Sequence, residues 1–102
     1  MAFVRVGRFK AKPELVAELC QTYQDEAIPR IRAARGNVSA VLFQPHRDDD
    51  DFLAITIWQT QADAERYEVS GQAAEIVAKV RHTFAAPPAL ATYDALGIPA
   101  AS

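Results

Sequence analysis

Apolar and polar residues alternate in four short stretches of this chain and recur at helical spacing in two longer ones. Ala2 to Lys10 puts Phe3, Arg5, Gly7 and Phe9 on one side of an extended backbone and Val4, Val6 and Arg8 on the other. Apolar groups on both sides predict a strand covered on both faces for most of its length. Gly7 in mid-strand leaves space above it. That suits a bulge, a close approach by ligand or backbone, or relief of packing against a bulky neighbour.

Pro13 then opens a helix at a first-turn position, and Glu14 follows where the helix dipole favours a negative charge. Val16, Leu19, Cys20, Tyr23, Ala27 and Ile31 form one apolar stripe, while Glu14, Glu18, Gln21 and Asp25 fall mainly away from it. Pro29 lacks an amide hydrogen and crowds the turn before it, so it should kink the helix or end its regular part. Arg30, Arg32 and Arg35 lie near the C-terminal end, where cations are favoured, and Gly36-Asn37 is the stop.

The second strand runs from Asn37 to His46, with Val38, Ala40 and Leu42 alternating against Val41 and Phe43 and Pro45 marking an edge or an end. A polar turn, Arg47 to Asp51, leads into a third strand. Leu53, Ile55 and Ile57 form one face of it; Phe52, Ala54, Thr56 and Trp58 form the other. Thr60 is the N-cap of the next helix, with Asp63 in the capping-box position. That helix breaks near Ser70-Gly71 and continues with Ala73, Val77, Val80 and Phe84 on one face. Pro87-Pro88 ends it, and Ala89 to Leu96 is a short last strand.

The order β-α-β-β-α-β predicts a ferredoxin-like α+β fold, an antiparallel sheet with two helices on one face. Residues 1–96 make a single domain, and 97–102 have no pattern and read as a mobile tail. The second sheet face also carries large apolar residues, and no third helix is present to cover it. An uncovered apolar face is an interaction surface, so the expectation is a homodimer packed sheet on sheet.

Composition narrows the function. The 102 residues are 50% hydrophobic and 24% charged, with a net charge of -2 and no clustered basic face, which argues against nucleic acid as a partner. No apolar run is long enough for a membrane span, and the chain enters its first strand without a basic-then-apolar leader. The lone Cys20 rules out an internal disulfide and fits a reducing compartment, so the expected location is cytoplasmic.

Three stretches, FVRVGRFKAKP, IPRIRAARGNVSAVLF and LAITIWQTQADAERY, together resemble the antibiotic biosynthesis monooxygenase family of the dimeric α/β-barrel group. The likeness runs from Phe3 to Tyr93 and is most specific in the last stretch: a strand ending in tryptophan, a short polar cap, then a helix carrying an aromatic residue. It implies a pocket between sheet and helices in each subunit of a dimeric α/β barrel. Haem-degrading members have an asparagine, a tryptophan and a haem-ligating histidine at positions that read Gly7, Tyr67 and Val77 here. Quinone-forming members oxidise phenolic polycycles with dioxygen and no cofactor. They carry an asparagine and a tyrosine where this chain has Ala54 and Ala64, so of that set only Trp58 is kept.

Trp58 and Tyr67 are the expected catalytic positions, and Tyr23, Phe43, Arg81 and Gly7 the expected substrate-binding ones. Each has a plainer reading. Trp58 could simply pack the core, the tyrosine hydroxyls could meet structural partners, and Arg81 could be a solvated flank. Arg5, set among apolar residues, would need a carboxylate partner if buried, and reads as structural or as part of the dimer seam. No metal site is expected, because His46 and the aspartate run 48–51 lack ligand spacing. His82 projects away from the apolar stripe, and Cys20 is a small core residue.

The resulting expectation is a homodimeric, cofactor-independent monooxygenase using dioxygen on an aromatic or polyketide-like small molecule. The alternatives are a non-catalytic small-molecule-binding module and an isomerase or cyclase of the same barrel group.

Overall fold

The computed structural model describes residues 1–98. Four strands, β1 (Ala2–Phe9), β2 (Asn37–Phe43), β3 (Phe52–Trp58) and β4 (Ala89–Ala95), form one antiparallel sheet in the order β2-β3-β1-β4. The helical segments pack on one face of it, which is the expected ferredoxin-like arrangement. Of the tail, Gly97 and Ile98 are described; residues 99–102 lie outside the described part.

The first helical stretch is composite. A 3-10 turn at Pro13–Leu15 leads into α1 (Val16–Thr22), then a five-residue π segment, Tyr23–Ala27, then α2 (Ile28–Arg32). Pro29 does not stop the stretch, which stays helical to Arg32. Its missing amide falls in the first turn of α2, immediately after the wider π turn, where the ring no longer collides with a tight preceding carbonyl. Leu19, Tyr23, Ala27 and Ile31 of the stripe are buried.

Gly36 ends this stretch at φ +82°, and a side chain there would collide with Asp63, the added Cβ lying 2.2 Å from its Cγ. Asp63 is itself fixed. Its amide donates to the Thr60 hydroxyl at 3.1 Å, and its carboxylate accepts from that hydroxyl at 3.0 Å and from Arg66 at 2.7 Å. Those hydrogen bonds hold its carboxyl below the usual range. Thr60 is therefore the N-cap of α3 (Gln61–Val69), with Asp63 bonded to its side chain rather than to its backbone amide. Gly36→Ala places a Cβ in left-handed backbone, which costs about 1–2 kcal/mol, and also displaces the capping acid. We expect a total loss of about 2 kcal/mol or more, measured as a lower urea midpoint at unchanged slope.

Gly71, at φ +87°, separates α3 from α4 (Gln72–Val80), where Ile76 and Val80 are buried. A 3-10 turn, Arg81–Thr83, follows. Ile76 belongs to the core although the sequence pattern did not select it.

The core is divided. One buried cluster gathers Tyr23, Ile31, Ala40, Trp58, Tyr67 and Ile76; the other gathers Phe9, Leu19, Phe52 and Val80. Ala54 packs against both. The opposite sheet face carries Val4, Val6, Val41, Leu53, Ile55 and Ile57, with no described helix over it.

Candidate active site

The gap between the two core clusters follows from the strand register. Gly7 of β1 pairs directly with Ala54 of β3, so the floor of the sheet carries a hydrogen and a methyl group side by side, both facing the helices. No bulge forms at Gly7, and the pairing is continuous from Phe3 to Phe9. Above this floor lies a pocket of about 160 Å³, partly open to solvent. A volume of roughly 150 Å³ admits a benzene-sized ring.

On one side stand the aromatic and polar groups. Trp58, at the end of β3, is fully buried, and its indole Nε1 donates to the Thr56 hydroxyl at 2.9 Å. Tyr67 leans on it from α3, with ring centroids 5.1 Å apart and planes tilted by 36°. Tyr23 enters from the π segment. The π turn widens the helix at the residue whose side chain lines the cavity, as such turns often do at functional sites. On the other side are Phe9, Val80 and Phe84, with Phe9 packed on Phe52 and Phe84 at centroid distances of 5.5 and 4.5 Å. Leu90 of β4, paired with Gly7 and 67% exposed, forms the solvent-side wall.

The Tyr67 hydroxyl is buried without a hydrogen-bond partner. Burial raises its pKa, Glu75 adds to the rise, and Arg30 opposes it. Tyr23 is pushed up to about 12, by burial first and by Tyr67 second. Both phenols therefore stay protonated at neutral pH, as donors rather than bases.

Arg5 is the one charged residue in the cavity wall among the described residues. It is ion-paired with Glu68 of α3, and its side chain is 23% exposed against 53% for the glutamate. The sequence pattern placed Arg5 on the right strand face, but not at the site. The carboxylate that completes it is 63 residues away in sequence.

Of the six expected site residues, Trp58, Tyr67, Tyr23 and Gly7 converge on this cavity. Arg81 does not line it; it borders an adjoining groove with Pro87, sharing Val77, Phe84 and Pro88 with the cavity wall. Phe43 is elsewhere. It pairs with Leu53, shares the helix-free sheet face and is 53% exposed, so it cannot reach the cavity.

Neither histidine lines the cavity, and His82 is instead paired with Glu18 on the surface. Cys20 is partly buried against Gln44, which raises its thiol pKa. Among the described residues, no three His, Cys, Asp or Glu side chains converge as metal ligands, and no helix is long and apolar enough to cross a membrane.

Several solved structures share the fold. Rv0793 from Mycobacterium tuberculosis superposes with a TM-score of 0.78 at 18% identity, covering 96% of this chain and 98% of its own. A conserved protein from Methanosarcina mazei Go1 gives 0.80 at 16% identity, with 91% of each chain covered. A crystal structure of an antibiotic biosynthesis monooxygenase gives 0.77 at 19%, covering 94% of this chain and 99% of that one. No curated protein matches the sequence. The family model described as Antibiotic biosynthesis monooxygenase matches residues 2–79, a span holding β1 to β3, α1 to α3, α4 but for its last residue, and the cavity's aromatic residues except Phe84, and the chain belongs to that family.

Proposed function

We propose that the cavity binds a small aromatic molecule bearing an ionisable oxygen, and that the protein oxidises it with dioxygen and no resident cofactor. The observation that carries this reading is the buried, unpartnered hydroxyl of Tyr67, a residue that lines an otherwise largely apolar cavity. A buried polar group left unpaired costs about 1–3 kcal/mol. A ligand oxygen placed against it removes that cost.

In the balanced reaction, the phenol gives up two electron pairs to one molecule of dioxygen. One oxygen atom enters the ring to form a quinone, and the other leaves as water with the two hydrogens lost. Trp58 and Tyr67 hold the ring, Tyr67 and Tyr23 donate to its oxygen, and the apolar walls keep water out. Gly7 supplies the room. Arg81, which borders the adjoining groove, would meet a polar group on a larger substrate. A cytoplasmic location belongs to the same proposal and rests on the lone cysteine.

Trp58 is the only tryptophan, so its fluorescence reports occupancy of the cavity directly. We expect single-ring phenols to quench it saturably and metal-free protein to consume oxygen with some of them. Saturable binding with no oxygen uptake across a broad phenol panel would support the second reading, a binding module, which Ala54 and Ala64 favour by standing in place of the quinone-forming residues. An isomerase or cyclase needs a general base at the substrate. No histidine or carboxylate lines the cavity among the described residues.

The helix-free sheet face is the second part of the proposal: two copies pack there as a homodimer. Val4, Val6, Ile55 and Ile57 form its centre, with Phe43 and Tyr93 more than half exposed beside them. Ile55→Asp puts an unpaired carboxylate in that seam, at a cost of several kcal/mol. Sedimentation should show a dimer for the unaltered protein and a folded monomer for the variant. A monomeric unaltered protein at tens of micromolar would sink the dimer.

A further inference from the structure

The cavity lacks a base, yet the proposed chemistry needs an ionised substrate. Arg5 bridges two spaces. It lines the cavity on one side and a surface depression with Glu65 and Glu68 on the other. Its partner Glu68 belongs to the outer side alone and is the more exposed of the two. The pair is therefore asymmetric: the glutamate can turn into water at little cost, whereas the guanidinium is held in the wall by its strand position. Thr56 and Thr92 flank it in register on β3 and β4. The Thr56 hydroxyl accepts from Trp58 and keeps its own O–H, but the Arg5 guanidinium is the charged donor at this end.

Building on the aromatic-ligand reading above, we propose that Arg5 selects the anionic form of the ligand. Its guanidinium exchanges the Glu68 carboxylate for a phenolate or enolate oxygen in the cavity. The ligand's proton goes to solvent, Glu68 turns outward, and no covalent bond in the protein changes. The substrate class is thereby narrowed to compact rings or conjugated ketones carrying one acidic oxygen.

The charged and titratable groups around this position are few. Glu68 and Glu65 come from α3, and Tyr67 and Tyr23 are protonated donors. Arg30 and Glu75 neutralise each other at 2.6 Å beside Tyr67, and Asp94 lies on β4 beyond Thr92. An opposite charge at close range favours the ionised form of an acid by about tenfold or more.

The test uses para-nitrophenol, whose phenolate has its own absorbance band, and para-nitroanisole, a near-isostere that cannot ionise. Trp58 fluorescence measures binding of both. We expect para-nitrophenol to bind at least about tenfold more tightly than the ether. Its phenolate band should appear on binding at a pH where the free probe is mostly neutral. Arg5→Gln should abolish both effects while changing ether binding far less than nitrophenol binding, and Arg5→Lys should restore part of the phenolate band. Glu68→Gln, a change at the surface, should strengthen nitrophenol binding and enlarge the band, and it stands as the test if Arg5→Gln fails to fold.

Equal affinity for the two probes, or a phenolate band that survives Arg5→Gln, overturns the role of Arg5 while the pocket reading stands. Absence of any quenching by either probe overturns the pocket reading, and this inference with it.

Discussion

Tyr67→Phe should raise the melting temperature of the free protein and weaken its binding of phenols. The two effects share one cause. The hydroxyl is buried without a partner, so removing it relieves a penalty of about 1–3 kcal/mol in the unliganded fold. The ring remains, tilted against Trp58 as before. With a phenol bound, the same hydroxyl is satisfied and the phenylalanine has nothing to offer. Affinity should then fall about tenfold, the equivalent of roughly 1.4 kcal/mol, within the span of a hydrogen bond to a charged or neutral oxygen. Thermal melting with and without ligand separates the terms: the variant should melt higher alone and gain less from ligand. A variant that melts lower when free would mean the hydroxyl is already satisfied, and the central observation behind the proposed function would be lost.

Trp58→Ala is the most damaging single change we expect. The side chain is 1% exposed, fills the junction between β3 and α3, and holds Thr56 through its indole. Truncating a buried tryptophan costs about 3–5 kcal/mol, out of the 5–15 kcal/mol typical of a whole domain. At roughly 4–8 °C per kcal/mol for a domain this small, the melting temperature should fall by tens of degrees. Trp58→Phe keeps most of the packing and loses the Nε1 bond. It should recover most of the stability, with a smaller gain in binding because the ring that walls the ligand is narrower. Denaturant melts of the two variants decide whether Trp58 is mainly a core residue or mainly a ligand wall. Equal loss in both would point to the indole hydrogen bond rather than volume.

In the proposed function, ligand positioning depends on what the sheet floor lacks. An active site built on large side chains needs each to be held by a second layer. Here the space exists because Gly7 and Ala54 are register partners, and the flanking aromatics are fixed by two separate core clusters. A ligand can occupy the gap without displacing either cluster. In the proposed reaction, two protonated phenols and one arginine, with no base lining the cavity among the described residues, would stabilise an anion rather than remove a proton.

Local chemistry was enough to define the elements. Alternation in β1 and β3, the Gly36 and Gly71 breaks, the Thr60 cap and the apolar stripe from Leu19 to Ile31 are all short-range signals, and the elements form near where they put them. β2 nonetheless ends at Phe43 rather than His46, and α4 at Val80, with Phe84 in extended backbone rather than on the helix. The same signals also sort residues by face within each strand, which puts Ala54 with Trp58 on β3 and Gly7 with Arg5 on β1. What they could not decide is how one strand lies beside another. Period-two alternation is the same on both faces, so only the β2–β3 register assigns Phe43 to the helix-free side with Leu53. The same holds for Gly7 against Ala54, whose pairing creates the cavity, and for Arg5 against Glu68, which are brought together only when α3 crosses the sheet. In sequence Pro29 reads as an interruption because a regular α-helix cannot absorb it; the π segment before it can. Elements are set by neighbours in sequence, whereas cavities and ion pairs are set by neighbours in space, and only the packed chain supplies those.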